Sequence, residues 1–288
     1  MSQDVYQIIT DRLVAILEAG TVPWRKPWNG ASEGGPLNLI SRKHYRGINC
    51  FLLACSSYSS PYWLTYRQAH GLGGTIRKGE KGSPVIFWKI YKKDDPETEE
   101  GKKLVPILRH YTVFNAEQCD DITASTSELK TQYEHDPIEE AEAVIMAMPN
   151  KPTVDIGGTR ACYSPAIDHV RVPELFRYEQ PEEYYSTLFH ELAHSTGHKS
   201  RLNREGISGH HFFGDTIYSR EELIAEMTSA FLCAHTGIVN ATIQNSAAYI
   251  QSWIKVLRGD KKLAITAASQ AQKAADYILN RKPGQADE

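Results

Sequence analysis

The chain has 288 residues, 41% hydrophobic and 23% charged, a balance that fits a soluble globular protein with room for two domains. No apolar run approaches the roughly 20 residues of a membrane span. The opening Met1-Ser2-Gln3-Asp4-Val5-Tyr6 lacks the basic-then-apolar pattern of a signal peptide, so no membrane partner is expected and the expected location is cytoplasmic. Five scattered cysteines form no C-x-x-C pair, which argues against a disulfide framework and a cysteine-based zinc site. The net charge of -3 hides an asymmetry: residues 1–110 hold 16 Lys+Arg against 10 Asp+Glu, and the remainder holds 16 against 25. A basic half joined to an acidic half suggests two tasks, one of them near a polyanion.

Val5, Ile8, Ile9, Leu13, Ile16 and Leu17 recur at helical spacing, and Gly20 ends that run. Residues 21–36 are a Pro-, Gly- and Trp-rich loop, residues 49–56 a short apolar helix and residues 64–70 another helix with Thr65 near its start. Residues 84–92 and 104–114 are predicted as partner strands around a charged hairpin loop, and the polar residues 118–136 as a linker. Single-stranded nucleic acid is held by cations that meet phosphates and by rings that stack on bases. Trp24-Arg25-Lys26-Pro27-Trp28, Arg42-Lys43-His44-Tyr45-Arg46, Tyr62-Trp63-Leu64-Thr65-Tyr66-Arg67 and Arg77-Lys78-Gly79-Glu80-Lys81-Gly82 interleave the two kinds of side chain. From these the candidate contacts are Trp24, Arg25, Lys26, Arg46, Arg67, Lys78 and Lys81. A competing expectation packs Trp24 in the core beside Pro23 and Pro27. Trp63, Phe87 and Trp88 are expected in the core, and Lys92 and Lys93 in a solvated loop.

Beyond the linker, residues 138–148 show an amphipathic helical pattern, short strands are expected near 153–156 and 161–164, and residues 168–173 are extended. Zinc peptidases commonly place an edge strand above the active-site helix, and residues 168–173 are the expected strand. The next helix carries His190-Glu191-Leu192-Ala193-His194, an H-E-x-x-H pattern. Residues i and i+4 share a helix face, so His190 and His194 can reach one metal ion. Zinc lowers the pKa of a coordinated water from about 15.7 to about 7, and Glu191 stands where the proton-accepting base belongs. Pro181-Glu182-Glu183 suits the first turn of that helix, and Gly197 is the expected stop. Two routes lead to a third ligand. His198 lies a full turn beyond the pair, too far along the axis to close a tetrahedron. The second is a following helix, with Ser219 as its expected cap, on which Glu222 and Glu226 share a face. This resembles the gluzincin arrangement, which implies Glu222 as ligand and Glu226 as the group that orients a ligand histidine. The swapped assignment stays open, and Glu221 is explained as charge at a helix N-terminus. Two further helices, residues 243–257 and 263–279, complete the chain.

Thr21-Val22-Pro23-Trp24, Lys26-Pro27-Trp28, Tyr45-Arg46-Gly47-Ile48-Asn49, Arg77-Lys78-Gly79-Glu80-Lys81-Gly82, His190-Glu191-Leu192-Ala193-His194 and Glu221-Glu222-Leu223-Ile224-Ala225-Glu226 follow in an order and spacing that resembles the ArdC antirestriction family along nearly the full length. The resemblance implies an N-terminal single-stranded-DNA-binding domain followed by a zincin-like metallopeptidase domain. It also implies carriage on conjugative plasmids and protection of incoming DNA from host restriction. Related N-terminal domains occur in plasmid primases, so that half alone does not fix the role. The expected architecture is α+β, with a basic α/β domain over residues 1–125 and a mostly helical domain with a small sheet over residues 137–288. The expected cofactor is Zn²⁺ or another divalent metal. The expected partners are single-stranded DNA and host restriction or other DNA-bound proteins. Two other functions remain: a DNA-dependent metalloprotease acting on DNA-bound proteins, and a non-catalytic protein that occupies DNA and carries a structural zinc site.

Overall fold

The structure is a computed structural model that describes residues 4–24, 35–94, 102–122, 137–208, 216–238 and 247–281, with side chains described for all but 92–94, 102–104, 137, 208, 216–218, 247 and 248. Helix α1 (Val5–Glu18) starts at Asp4, whose side chain accepts the Tyr6 N–H. Its Ile9, Leu13 and Leu17 are fully buried at i, i+4 and i+8, the stripe that the sequence periodicity predicts. Strand β1 (Leu37–Asn38), helix α2 (Ile48–Ala54), strand β2 (Tyr62–Thr65) and helix α3 (Tyr66–Gly71) follow, then strand β3 (Thr75–Ile76). Thr65 caps α3 through a reciprocal box with Gln68, so the expected helix at 64–70 is divided between β2 and α3. Strands β4 (Ser83–Asp94) and β5 (Lys102–Asn115) form a long antiparallel ribbon in register from Ser83↔Val113 to Asp94↔Lys102. They complete a sheet of order β1-β2-β5-β4, while β3 pairs with β6 (Cys119–Asp120) inside the stretch expected to be linker.

Helix α4 (Pro137–Ala147) leads into β7 (Thr153–Ile156), β8 (Cys162–Ser164) and β9 (His169–Val172), a sheet of order β7-β9-β8 in which β8 runs antiparallel to its neighbour. Helices α5 (Pro181–Ser195), α6 (Glu205–Ser208), α7 (Thr216–Thr236), α8 (Ala247–Gly259) and α9 (Leu263–Ile278) follow. Ser219 sits inside α7, which begins three residues earlier, so it does not cap the helix. Gly237, at φ 74°, ends α7 in the left-handed region that suits glycine.

The two halves share one continuous hydrophobic core. The Trp24 ring meets Trp253 of α8 edge-on at 5.7 Å, and Phe51 of α2 lies 4.9 Å from Phe231 of α7. Polar ties cross the same boundary: Thr10 Oγ1 donates to Lys261 O at 2.9 Å, Gly47 N–H to Gln272 Oε1 at 3.2 Å, and Arg46 pairs with Asp276. Each fully buried Leu or Phe contributes about 1.5–3 kcal/mol, so the packing of α1, α2 and the Trp24 turn on the C-terminal helices joins the two halves. The architecture is α+β, with the sheet of β1, β2, β4 and β5 on one side of that core and the β7-β9-β8 sheet against α5, the helix that carries the H-E-x-x-H pattern.

Candidate metal centre

Helix α5 has Pro181 in its first turn, where no N–H is needed, and Glu182 and Glu183 at the positive end of its dipole. Leu188, Phe189, Leu192 and Ala193 fix it against the core at 3% exposure or less, which leaves His190 and His194 on one half-open face. Their Nε2 atoms are 3.1 Å apart. Glu222 of α7 closes the triangle, with Oε2 3.6 Å from His190 Nε2 and Oε1 3.6 Å from His194 Nε2. Two donors on a tetrahedral zinc with bonds near 2.0–2.1 Å stand about 3.4 Å apart. The three observed spacings, two of them to different Glu222 oxygens, lie near that edge, and one donor atom from each side chain falls within 4.8 Å of the others, a cluster that could hold a single divalent cation. His198, the other route, turns away and places Nδ1 2.8 Å from Ser200 Oγ.

Behind the triangle two carboxylates face the histidines, although among the described residues His194 Nδ1 makes no hydrogen bond. Glu226, one turn beyond Glu222, accepts the Tyr249 hydroxyl at 2.9 Å, and the Trp24 indole N–H points at the same hydroxyl at 3.5 Å. Its negative charge faces His190. Glu221 is 5% exposed, and its Oε1 lies 3.4 Å from His194 Nδ1. Arg204 grips Glu221 with two nitrogens, Nε at 3.0 Å, and is itself held by Thr196 Oγ1 at 2.6 Å and Ala193 O at 2.8 Å. Burial alone would raise the Glu221 pKa, but Arg204 and His194 bring it below the ordinary glutamate value, so it stays an anion facing the imidazole. Explaining Glu221 as helix-end charge is therefore wrong, because it points inward at His194 and Arg204. Arg204 lies in a loop with no periodicity, so sequence reasoning misses it. The one sequence hint is the glycine pair that flanks it. A Cβ on Gly197 would sit 3.1 Å from the Arg204 Nη2 and 2.5 Å from Ile207 Cγ1, and one on Gly206 would sit 3.1 Å from Glu221 Cβ. Gly197, just past the Thr196 cap of α5, thus clears the path for Ile207 and the guanidinium.

A cleft of about 370 Å³ opens over the triangle, lined by His190, Glu191, His194 and Glu222 below and by Ala161, Cys162 and Tyr163 beside them. Glu191 is 8% exposed, and burial pushes its carboxyl above the ordinary glutamate range. The strand at this cleft is β8, an edge. Residues 169–172, expected there, instead form the central strand between β7 and β8, with Val170 and Val172 fully buried. Val170 and Val172 share the inner face of β9 and are buried there, while His169 and Arg171 alternate to the outer face, and the more exposed Cys162-Tyr163-Ser164 takes the rim.

The residues expected to meet nucleic acid are dispersed. Trp24 is 2% exposed, so it is closed to a base, and its place in the core corrects the platform assignment. Arg46 is tied to Asp276. Arg67, Lys78 and Lys81 are exposed, and Arg25 and Lys26 lie outside the described residues. Trp63 is buried as expected, but Phe87 and Trp88 are 40% and 49% exposed and are not core. Their strand is buried at Val85 and Ile86, yet among the described residues no second layer encloses its outer half.

A helix bearing both histidines and the glutamate, a second helix supplying the carboxylate and an antiparallel edge strand at the cleft define a zincin-like metallopeptidase fold, and residues 139–270 match the family model of that description. Residues 3–114 match the model of the N-terminal domain of the anti-restriction factor ArdC. The crystal structure of the antirestriction ArdC protein from plasmid R388 in its metal-free form is 39% identical and superposes with a TM-score of 0.75, covering 97% of this chain and 100% of that one. Its Mn(II)-bound form is also 39% identical, with a TM-score of 0.74, covering 96% of this chain and 97% of that one. An uncharacterized protein, y4eC of Sinorhizobium fredii, is 36% identical over 96% of this chain and 91% of its own length. A DNA primase TraC of Escherichia coli is 34% identical over 95% of this chain, which spans only 20% of the primase. The chain belongs to the ArdC antirestriction family. Among the described residues no helix is long and apolar enough to cross a membrane.

Proposed function

We propose that the protein protects incoming plasmid DNA from host restriction by holding single-stranded DNA and by carrying a zinc-dependent peptidase centre. The observation that carries this reading is the open donor triangle of His190, His194 and Glu222 beside the buried Glu191 carboxylate. Two imidazoles and one carboxylate are a donor set for catalytic zinc with a free fourth position, and the Mn(II) in the R388 relative supports a divalent cation. When bound, the metal polarises a substrate carbonyl and acidifies water. Glu191 takes a proton from water in the cleft and returns it to the leaving amine, a role suited to a carboxyl raised by burial. The β8 edge offers backbone N–H and C=O groups to an extended peptide, so the substrate lies along the cleft as an added strand. Host restriction proteins or other DNA-bound proteins are the substrates that such a joint machine reaches. In this reading residues 1–125 hold DNA and residues 137–288 cut, in the cytoplasm of the recipient cell.

The test compares wild type with Glu191→Ala at equal expression in a restricting host that receives plasmid DNA. Loss of protection with full metal content supports the peptidase reading. Full protection by Glu191→Ala sinks it and assigns protection to occupancy of DNA.

A further inference from the structure

The ribbon of β4 and β5 extends beyond its sheet, and its two faces differ in chemistry. Its inner end is anchored: Val85 and Val113 are fully buried, and Asn49 of α2 exchanges hydrogen bonds of 2.9 and 2.8 Å with the backbone N–H and C=O of Ile86. Beyond Ile86 large side chains stand open on both faces, Phe87, Ile107 and Tyr111 on one and Trp88 and Ile90 on the other. The pairs Val85↔Tyr111, Phe87↔Arg109, Lys89↔Ile107 and Tyr91↔Val105 share one face. On it Phe87 and Tyr111 meet edge-on at 5.4 Å, Lys89 Nζ stands 5.1 Å from the Tyr91 ring, and Arg109 reaches the Tyr91 hydroxyl at 3.5 Å. Rings and cations thus alternate along it, and these four pairs include no carboxylate. As far as Ile90, the opposite face carries Trp88, Ile90, Pro106, Leu108 and His110, a mostly apolar row without lysine or arginine. Lys93 pairs with Lys103 in register at the far end.

We propose that the Phe87–Lys89–Tyr91–Arg109–Tyr111 face of the β4–β5 ribbon is the surface that binds single-stranded DNA, its rings stacking on bases and its two cations meeting phosphates. The proposal rests on the single-stranded-DNA reading above and replaces the buried Trp24 with a surface that bases can reach. Charge chooses the occupant: residues 1–110 carry 16 Lys+Arg against 10 Asp+Glu, and an anion is the complement of that surplus. The rings choose the single strand, because a duplex keeps its base faces stacked on one another. Side chains on one face recur every ~6.8 Å along a strand, so successive rings can engage successive bases of an extended chain.

The test uses the full-length, metal-loaded protein and a fluorescein-labelled oligothymidylate, read by anisotropy at several salt concentrations. Phe87→Ala with Tyr91→Ala should weaken binding at least about tenfold and leave the salt slope unchanged, since rings release no counterion. Lys89→Gln with Arg109→Gln should flatten the log–log slope by about 1.4, roughly 0.7 for each phosphate that is no longer neutralised. Trp88→Ala on the opposite face should leave affinity within about twofold of wild type, the change expected where no base is stacked. Phe87→Tyr should retain binding, which separates ring loss from misfolding, and melting temperature is followed for every variant. Unchanged affinity in the ring variant overturns the ribbon as the site while leaving the DNA reading intact. Equal loss in Trp88→Ala also overturns it, in favour of the apolar face. Wild-type protein that does not bind the oligonucleotide at low salt overturns both the ribbon and the DNA reading.

Discussion

The metal centre and the outer β4–β5 ribbon are the two chemically loaded regions of the molecule, and they are built in opposite ways. Around the metal site the charges lean on partly or fully buried partners: Glu222 on two histidines, Glu221 on His194 and Arg204, Glu226 on Tyr249. On the ribbon, Phe87, Lys89 and Arg109 stand in solvent. A buried paired group is costly to disturb, because its partner is left charged and dry. An exposed ring costs little in stability and is available to a ligand. The metal centre is therefore predicted to couple to folding, and the ribbon to binding alone.

The largest effects should come from the donors. His190→Ala, His194→Ala and Glu222→Ala each remove one of the three proposed ligands, and each purified protein should lose its divalent metal by elemental analysis, while Glu191→Ala keeps it. Full metal content in Glu222→Ala with loss in Glu226→Ala would reverse the proposed ligand assignment. Next is Arg204→Ala, which leaves the 5%-exposed Glu221 without its cation. Breaking such a buried pair costs about 3–5 kcal/mol, and a group that orients a ligand histidine is worth roughly 10–100-fold in metal affinity. Chelator competition and thermal unfolding measure the two separately. An Arg204→Ala protein with unchanged metal affinity would reduce the Arg204–Glu221 pair to a structural tie.

Trp24 belongs with the centre in this comparison, despite its basic neighbours. It is 2% exposed, sits against Trp253 and points its indole N–H at the hydroxyl that serves Glu226. Trp24→Ala should cost about 3–5 kcal/mol of stability, read as a fall in melting temperature. Oligothymidylate affinity of the protein that remains folded should stay near wild type. A selective loss of DNA binding at unchanged stability would return Trp24 to the DNA surface.

The contrast also explains what can be read in the sequence. His190, Glu191 and His194 are legible because a helix turns a four-residue spacing into a shared face. Glu222 is legible because Glu226 repeats that spacing inside an apolar run. Glu221 and Arg204 are not, because their meeting depends on where the loop after α5 returns, which no local period encodes. Phe87 and Trp88 are misassigned for a related reason. Apolar and aromatic residues in a strand give its period but not what covers it, and coverage is decided by the distant packing of α2 against the inner end of β4. Trp24 is the converse, a ring flanked by cations in sequence that the remote α8 draws into the core. The shared core is also hidden, since two charge-distinct halves suggest separable domains, whereas Phe51 and Phe231 meet across them.

The smallest expected effect tests how far the DNA surface extends beyond the ribbon. In the basic turn between β3 and β4, Arg77 is engaged by Glu80, Asp120 and the Glu117 carbonyl, so its charge is largely answered within the protein. Lys78 and Lys81 beside it are exposed and project from a turn that Gly79 closes at φ 92°. Cations of this kind attract a phosphate backbone without reading or stacking on it. Lys78→Ala with Lys81→Ala should leave the melting temperature unchanged and weaken oligothymidylate binding less than the loss of Phe87 and Tyr91. The salt slope should flatten by up to about 1.4 if both lysines neutralise phosphates. An unchanged slope would confine the DNA path to the ribbon. A loss larger than that of the ring variant would reverse the ranking and make the turn, with its charge rather than stacking, the principal contact.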